Sequence, residues 1–152
     1  MTRRRAAAAG AAAAAVWAAL EPVDRRLFRY DYSDVAVLGK LVTRGPTWPA
    51  VGLAWHLANG AIFGVAYRAV ERRRPTSALG MAMLEHVALY PLSAIVDRHH
   101  PARGMPGVPR LVDTRAFAQA TVRHALFGLV LGATAARRRR RSASSAAPRR
   151  AG

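Results

Sequence analysis

Cysteine is absent from the 152 residues, which excludes disulfides, thiolate metal sites and a cysteine nucleophile. Lysine is nearly absent as well. Lys40 is the only one, and arginine carries the rest of a formal charge of +16. Acidic residues number 8 against 24 basic ones, and aromatics make up only 7%. So basic a chain points towards nucleic acid or an anionic membrane. A single-strand binder needs stacking aromatics among its arginines. Here most aromatics sit in apolar runs or at their ends, with Phe28, Tyr30 and Tyr32 beside Arg25, Arg26 and Arg29 as the exception. A soluble arginine-rich nucleic-acid binder is therefore the runner-up class. Arginine in place of lysine, with abundant alanine, matches GC-rich codon usage and says little about function.

Other absences narrow the chemistry. No nucleophile–base arrangement, glycine-rich phosphate loop or pair of catalytic carboxylates stands in the sequence. An enzyme is not expected, nor a resident cofactor. No spacing of histidines and carboxylates matches a metal-ligand motif. Asp97, His99 and His100 could meet a cation, but a solvated pair of histidines is the plainer reading.

What the chain does have is hydrophobicity gathered into blocks, 52% of residues in all. Trp48 to Tyr67 runs WPAVGLAWHLANGAIFGVAY without a formal charge and is followed at once by Arg68. At about 1.5 Å per residue it can cross a hydrocarbon layer of about 30 Å. Residues 76–96 and 116–136 form two further apolar segments. Residues 6–20 form a fourth, dominated by alanine and ending at Glu21-Pro22. Alanine gains little from lipid, so this first segment reads either as a retained span or as a cleaved signal, with Arg3 to Arg5 as the basic start of each.

The pattern predicts an all-α integral membrane four-helix bundle built from two helical hairpins within residues 1–141. Residues 142–152 read as a disordered basic tail. In the first outer loop, Ser33 is placed to cap a short helix over 34–43, stopped by Gly45-Pro46. Val35, Leu38, Leu41 and Val42 would share a face, suiting a helix on the bilayer surface or one packed on the bundle. Residues 97–114 hold too many prolines and glycines for regular structure.

Four spans place both termini on one side. Arg3 to Arg5, the turn Arg68, Arg72, Arg73 and Arg74, and the block Arg137 to Arg141 fall together there. Arginine density at span ends makes that side cytoplasmic, in a cell-membrane protein whose inner face meets anionic lipid.

Glycine sets the expected packing. Gly52, His56, Gly60 and Gly64 recur every fourth residue and so share a slowly drifting helical stripe. Missing side chains let a second helix approach closely, which matters where lipid removes the hydrophobic drive. The fourth span repeats the motif as His124, Gly128 and Gly132. The first and third spans each carry a proline followed by Val-Asp-Arg, Val23 to Arg25 and Val96 to Arg98. These matches fit a parallel duplication, although alanine- and glycine-rich spans also generate them by chance.

Polar residues inside the spans are the candidate site. His56, Asn59, Glu85, His86, Arg123 and His124 fall at similar depth, where polar groups are costly and turn inwards to pair. Glu85, the only carboxylate within an expected span, is the expected counter-ion of Arg123. Interhelical hydrogen bonding is the leading reading of this layer, making the chain a structural or scaffold protein. A proton or small-solute pathway comes next. Bis-histidine haem or metal binding between His56 and His124 follows. A homo-oligomer or another membrane protein is the partner such a layer would serve; nucleic acid is not expected.

Overall fold

The computed structural model describes residues 2–146, with side chains as far as Arg137. It is all-helical, with five helices and no strand among the described residues. Helix α1 runs Arg3–Phe28, capped by the Thr2 hydroxyl, which accepts from the Arg5 amide. It does not stop at Glu21-Pro22. Pro22 removes only one backbone donor, and the helix continues to Arg29, whose left-handed φ of 49° closes it. That extension brings Glu21 and Asp24 into a helix of membrane-spanning length.

Helix α2, Asp34–Val42, has Ser33 as its cap, accepting from the Ala36 amide at 3.1 Å. Its buried face is Ala36, Gly39 and Lys40 rather than the larger apolar residues. Leu41 and Val42 stay exposed while Val35 and Leu38 are half-buried. Gly39 packs inwards because α3 approaches too closely there for a larger residue. A Cβ on Gly52 would collide with the Val35 carbonyl, and one on Gly39 with the Trp48 carbonyl.

Helices α3 (Trp48–Glu71), α4 (Ala78–His99) and α5 (Thr114–Ala146) complete the fold. α4 passes through Pro91 without ending. α5 runs beyond the expected end of its span and into the stretch expected as tail, while residues 147–152 lie outside the described region. Four helices, α1, α3, α4 and α5, are long and apolar enough to cross a membrane.

Their neighbours follow from the contacts. α3 packs on both α1 and α2, α1 also packs on α5, and α5 on α4. α4 is the least covered of the four, and Leu84, Val87, Leu92 and Ile95 are exposed along it. The two hairpins, α1 with α3 and α4 with α5, therefore meet along α1 and α5. The shared apolar core includes Ala13, Trp17, Phe63, Tyr67, Ala82, Phe127 and Leu131.

Within each hairpin the glycines of the later helix face the start of the earlier one. A Cβ on Gly60 would lie 2.5 Å from the Ala14 Cβ, and one on Gly64 would strike the Ala6 carbonyl. Gly10 on α1 completes this contact, since its own Cβ would strike the Gly60 carbonyl. In the second hairpin a Cβ on Gly128 would lie 2.6 Å from the Leu79 Cα. Gly132 differs: its Cβ would sit 3.6 Å from the Ala78 Cβ, an ordinary contact.

The loop over residues 100–113 is held down despite its breakers. Ser33 donates its amide to the Gly107 carbonyl at 3.0 Å, and Lys40 Nζ donates to the Pro106 carbonyl at 2.5 Å. Gly107 has φ +81° and lies so close to Ala36 that a Cβ would sit 2.6 Å away. His100, expected in solvent, is buried. Its Nε2 donates to the Val37 carbonyl at 2.9 Å and its Nδ1 accepts from the Ala102 amide. Asp97 accepts from the Leu111 amide at 2.9 Å and faces Arg103, while His99 is exposed. No group of three potential metal ligands occurs among the described residues.

Candidate functional site: a buried arginine cluster and a histidine-lined cavity

Arg123 on α5 is 1% exposed, so its charge must be matched on the spot. The matching groups are not Glu85. Nε and Nη2 grip both oxygens of Asp24 on α1 at 2.5 and 2.6 Å. Nη1 donates to Asp34 at the start of α2 at 2.7 Å and lies 3.7 Å from Glu21. Nη2 also donates to the Tyr32 carbonyl at 2.9 Å, and the guanidinium stands 4.9 Å from the Tyr32 ring. This planar fork suits arginine and would not suit a point-charge ammonium.

Three carboxylates surround one guanidinium, and neutral donors serve the excess negative charge. Glu21 accepts from the Ser33 hydroxyl at 2.5 Å and from the Asp34 amide at 2.9 Å, so it sits on the N-terminus of α2. The free amides and dipole of that helix end favour a carboxylate. Asp34 accepts from Trp17 Nε1 at 3.0 Å and from the Tyr32 hydroxyl at 2.6 Å. Desolvation is the largest influence on the Asp34 carboxyl and raises it, but Arg123, His56, the Tyr32 hydroxyl and His124 together outweigh it and hold the group below the usual carboxylate range. Desolvation of the Tyr32 phenol, with Asp34 beside it, pushes that group well above the ordinary tyrosine value. Gln119, fully buried, donates to Asp24 at 2.6 Å and leaves its Oε1 without a partner.

The expected Glu85–Arg123 pair does not form. Glu85 is half-buried on α4, one residue and so about 100° round the helix from the inward-facing His86. No hydrogen bond or ion pair of Glu85 occurs among the described residues, whereas α1 and α2 reach Arg123 with three carboxylates. Asn59 likewise leaves the layer. It is exposed on α3, while its neighbour Gly60 faces α1.

The remaining members converge on Trp17. His56 and His124 contact its ring edge-on at centroid distances of 5.2 and 4.7 Å, and His86 packs on His124 at 4.6 Å. Their hydrogen bonds fix which nitrogen carries the proton. A carbonyl can only accept, so His56 Nε2 donates to the Ala14 carbonyl at 3.2 Å and His124 Nδ1 to the Ala120 carbonyl at 2.8 Å. The Thr121 hydroxyl donates to the Phe117 carbonyl, so His86 Nε2 must donate to Thr121 Oγ1, at 2.9 Å.

Beside these rings, between α4 and α5, lies a cavity of about 170 Å³. His86, His124, Tyr90, Phe117, Ser93 and Tyr32 line it, with Leu89 and Leu111 among the apolar walls. Arg123 stands behind Tyr32, so the cluster and the cavity share a wall.

Sequence reasoning missed Glu21, Asp24, Asp34, Tyr32 and Trp17. A signal was present: Trp17, Glu21 and Asp24 are spaced four and three apart, one face of a helix if the helix passes Pro22.

The fold and site together define an all-helical chain with four apolar helices of membrane-spanning length, tied by one buried arginine. Comparison with protein families, curated proteins and solved structures gives no match to this chain.

Proposed function

We propose that this chain is a small multi-pass integral membrane protein whose two helical hairpins are locked together by the Arg123 cluster, with a structural or scaffold role. The carrying observation is Arg123 on α5, bound to Asp24 on α1 and Asp34 on α2 and near Glu21 on α1. Each arginine–carboxylate link joins the second hairpin to the first hairpin or to its surface helix. The exposed apolar side of α4 is the expected lipid-facing surface. Arg3 to Arg5 and Arg72 to Arg74, all exposed, stand at one end of the helices and support cytoplasmic termini and contact with anionic lipid. The loop carrying α2 and the loop over 100–113 stand at the other end. In this reading α1 is a retained span, since its removal would strip Glu21 and Asp24 from Arg123.

Fractionation tests the reading. The chain should stay in the pellet through alkaline carbonate, and release by salt alone would refute it in favour of a soluble basic protein.

A second reading, a proton or small-solute pathway, is supported by one observation: the histidine-lined cavity beside the cluster. Proton or solute flux in liposomes tests it.

A further inference from the structure

The walls of the α4–α5 cavity carry a specific hydrogen-bonding bias. With His124 Nδ1–H committed to Ala120 and His86 Nε2–H to Thr121, the opposite nitrogen of each neutral ring is an acceptor. Neither His124 Nε2 nor His86 Nδ1 has a hydrogen-bond partner among the described residues, nor do the hydroxyls of Tyr90 and Ser93. The rest of the lining is aromatic or aliphatic: Phe117 packs edge-on to Tyr90 at 4.6 Å and lies 4.7 Å from His86. No charged side chain lines the space. Its volume, about 170 Å³, is close to that of an apolar cavity that holds benzene, about 150 Å³.

We propose that this cavity binds a small uncharged molecule with an aromatic ring and a hydrogen-bond donor, of the size of phenol, its hydroxyl received by His86 or His124. An ion is disfavoured because no opposite charge lines the wall and desolvation would go unrepaid. A wholly apolar guest would leave the imidazole acceptors unpaired, which is how a polar site rejects an analogue lacking the donor. The proposal rests on the second reading only in that a solute enters the cavity. The ring could arrive as a free solute or as the headgroup of a lipid-borne phenol or hydroquinone.

The test uses the full chain in nanodiscs with ¹⁵N-labelled histidine. The sequence holds 5 histidines, so signals are assigned by single variants. Phenol should shift the His86 and His124 signals saturably, with anisole, which has the same ring but no donor, binding about tenfold or more weakly. Replacing His86 or His124 by Phe should bring the two affinities together in the variant that removes the receiving ring, and a difference that persists in both variants would overturn the proposal. Should those variants fail to fold, Ser93→Leu fills the space from α4 and should abolish the shifts by both compounds. A hydroquinone with a long alkyl tail competing better than phenol assigns the lipid-borne source, and the reverse assigns the free solute. Equal binding of phenol and anisole, or no saturable shift from either in folded protein, would overturn the proposal. Binding with no liposome flux supports it and removes the pathway reading, while flux without donor preference refutes this proposal alone.

Discussion

Replacing Arg123 by Leu should cost more stability than any other single change in the described region, by about 3–5 kcal/mol, the range for breaking a buried ion pair from one side. The guanidinium donates four hydrogen bonds, three to carboxylates and one to a carbonyl. At about 1.5–3 kcal/mol for each charged bond, a simple sum approaches the whole stability of a small domain. That sum overstates the loss, because the orphaned carboxylates can take up protons or water. The informative measurement is a double-mutant cycle on the full chain, unfolded reversibly by a denaturing detergent. Asp24→Asn combined with Arg123→Leu should show coupling of at least about 1 kcal/mol, because both residues sit in one network. Glu85→Gln combined with Arg123→Leu should be additive within about 0.5 kcal/mol. Coupling to Glu85 but not to Asp24, or a cost below about 1 kcal/mol for Arg123→Leu, would refute the cluster as the lock.

Glycine substitutions should divide sharply: Gly64→Ala and Gly128→Ala each lower the melting temperature in detergent, because the new Cβ meets backbone. Gly132→Ala is neutral or stabilising by up to about 1 kcal/mol, because its Cβ has room and alanine favours the helix. Asp34, depressed in the fold, contributes stability that is present above its unfolded value near 3.9 and is lost as pH falls through its lower folded value; Asp34→Asn should therefore flatten acid unfolding below about pH 4. Tyr32, raised in the fold, keeps its contribution below about pH 10 and loses it as pH rises further, so Tyr32→Phe should remove a late-titrating phenol from the absorbance curve. The lack of native cysteine permits clean topology mapping: cysteines at exposed Thr47 and Met105 should react with an impermeant reagent from outside and one at Arg73 should not; the reverse pattern would invert the orientation.

Four apolar helices and a short capped helix were legible because their signals are local. Charge-free runs set the spans, and Ser33 before an apolar stretch set the cap. The fourfold spacing of Gly52, Gly60 and Gly64 is local too, since it needs only the helix period, whereas the room beside Gly132 is not. The identity of Arg123's partners was not local. It depended on α1 lying beside α5, and on Pro22 being tolerated so that Asp24 remained helical. Reading Leu20 as the end of the span put Glu21 and Asp24 in a loop and left Glu85 as the nearest eligible carboxylate. The face of α2 that packs on α3 was not legible for a related reason. Gly39 turned inwards because a neighbouring backbone came close, which hydrophobicity alone does not register.

The two devices that hold this fold act at different places, and that constrains how it can move. Inside each hairpin, glycine brings backbone against backbone near the starts of α1 and α4, a contact with no side chains to re-pack. Between the hairpins, the joint is made of side chains: Trp17 against His124 and Phe127, Phe63 against Phe127, and the Arg123 cluster. Side chains can exchange rotamers and hydrogen-bond partners, whereas abutting glycines cannot slide without collision. The cavity lies inside the second hairpin, away from its Gly128 contact, beside α4, the least covered helix. The Arg123 cluster does not tie α4, because none of its ligands is on α4; that helix is held to α5 by the Gly128–Leu79 approach, the His86–Thr121 hydrogen bond and the rings of His86 and Tyr90 against Phe117. The arginine cluster therefore joins α5 to α1 and α2, and α4 is attached to the rest through α5.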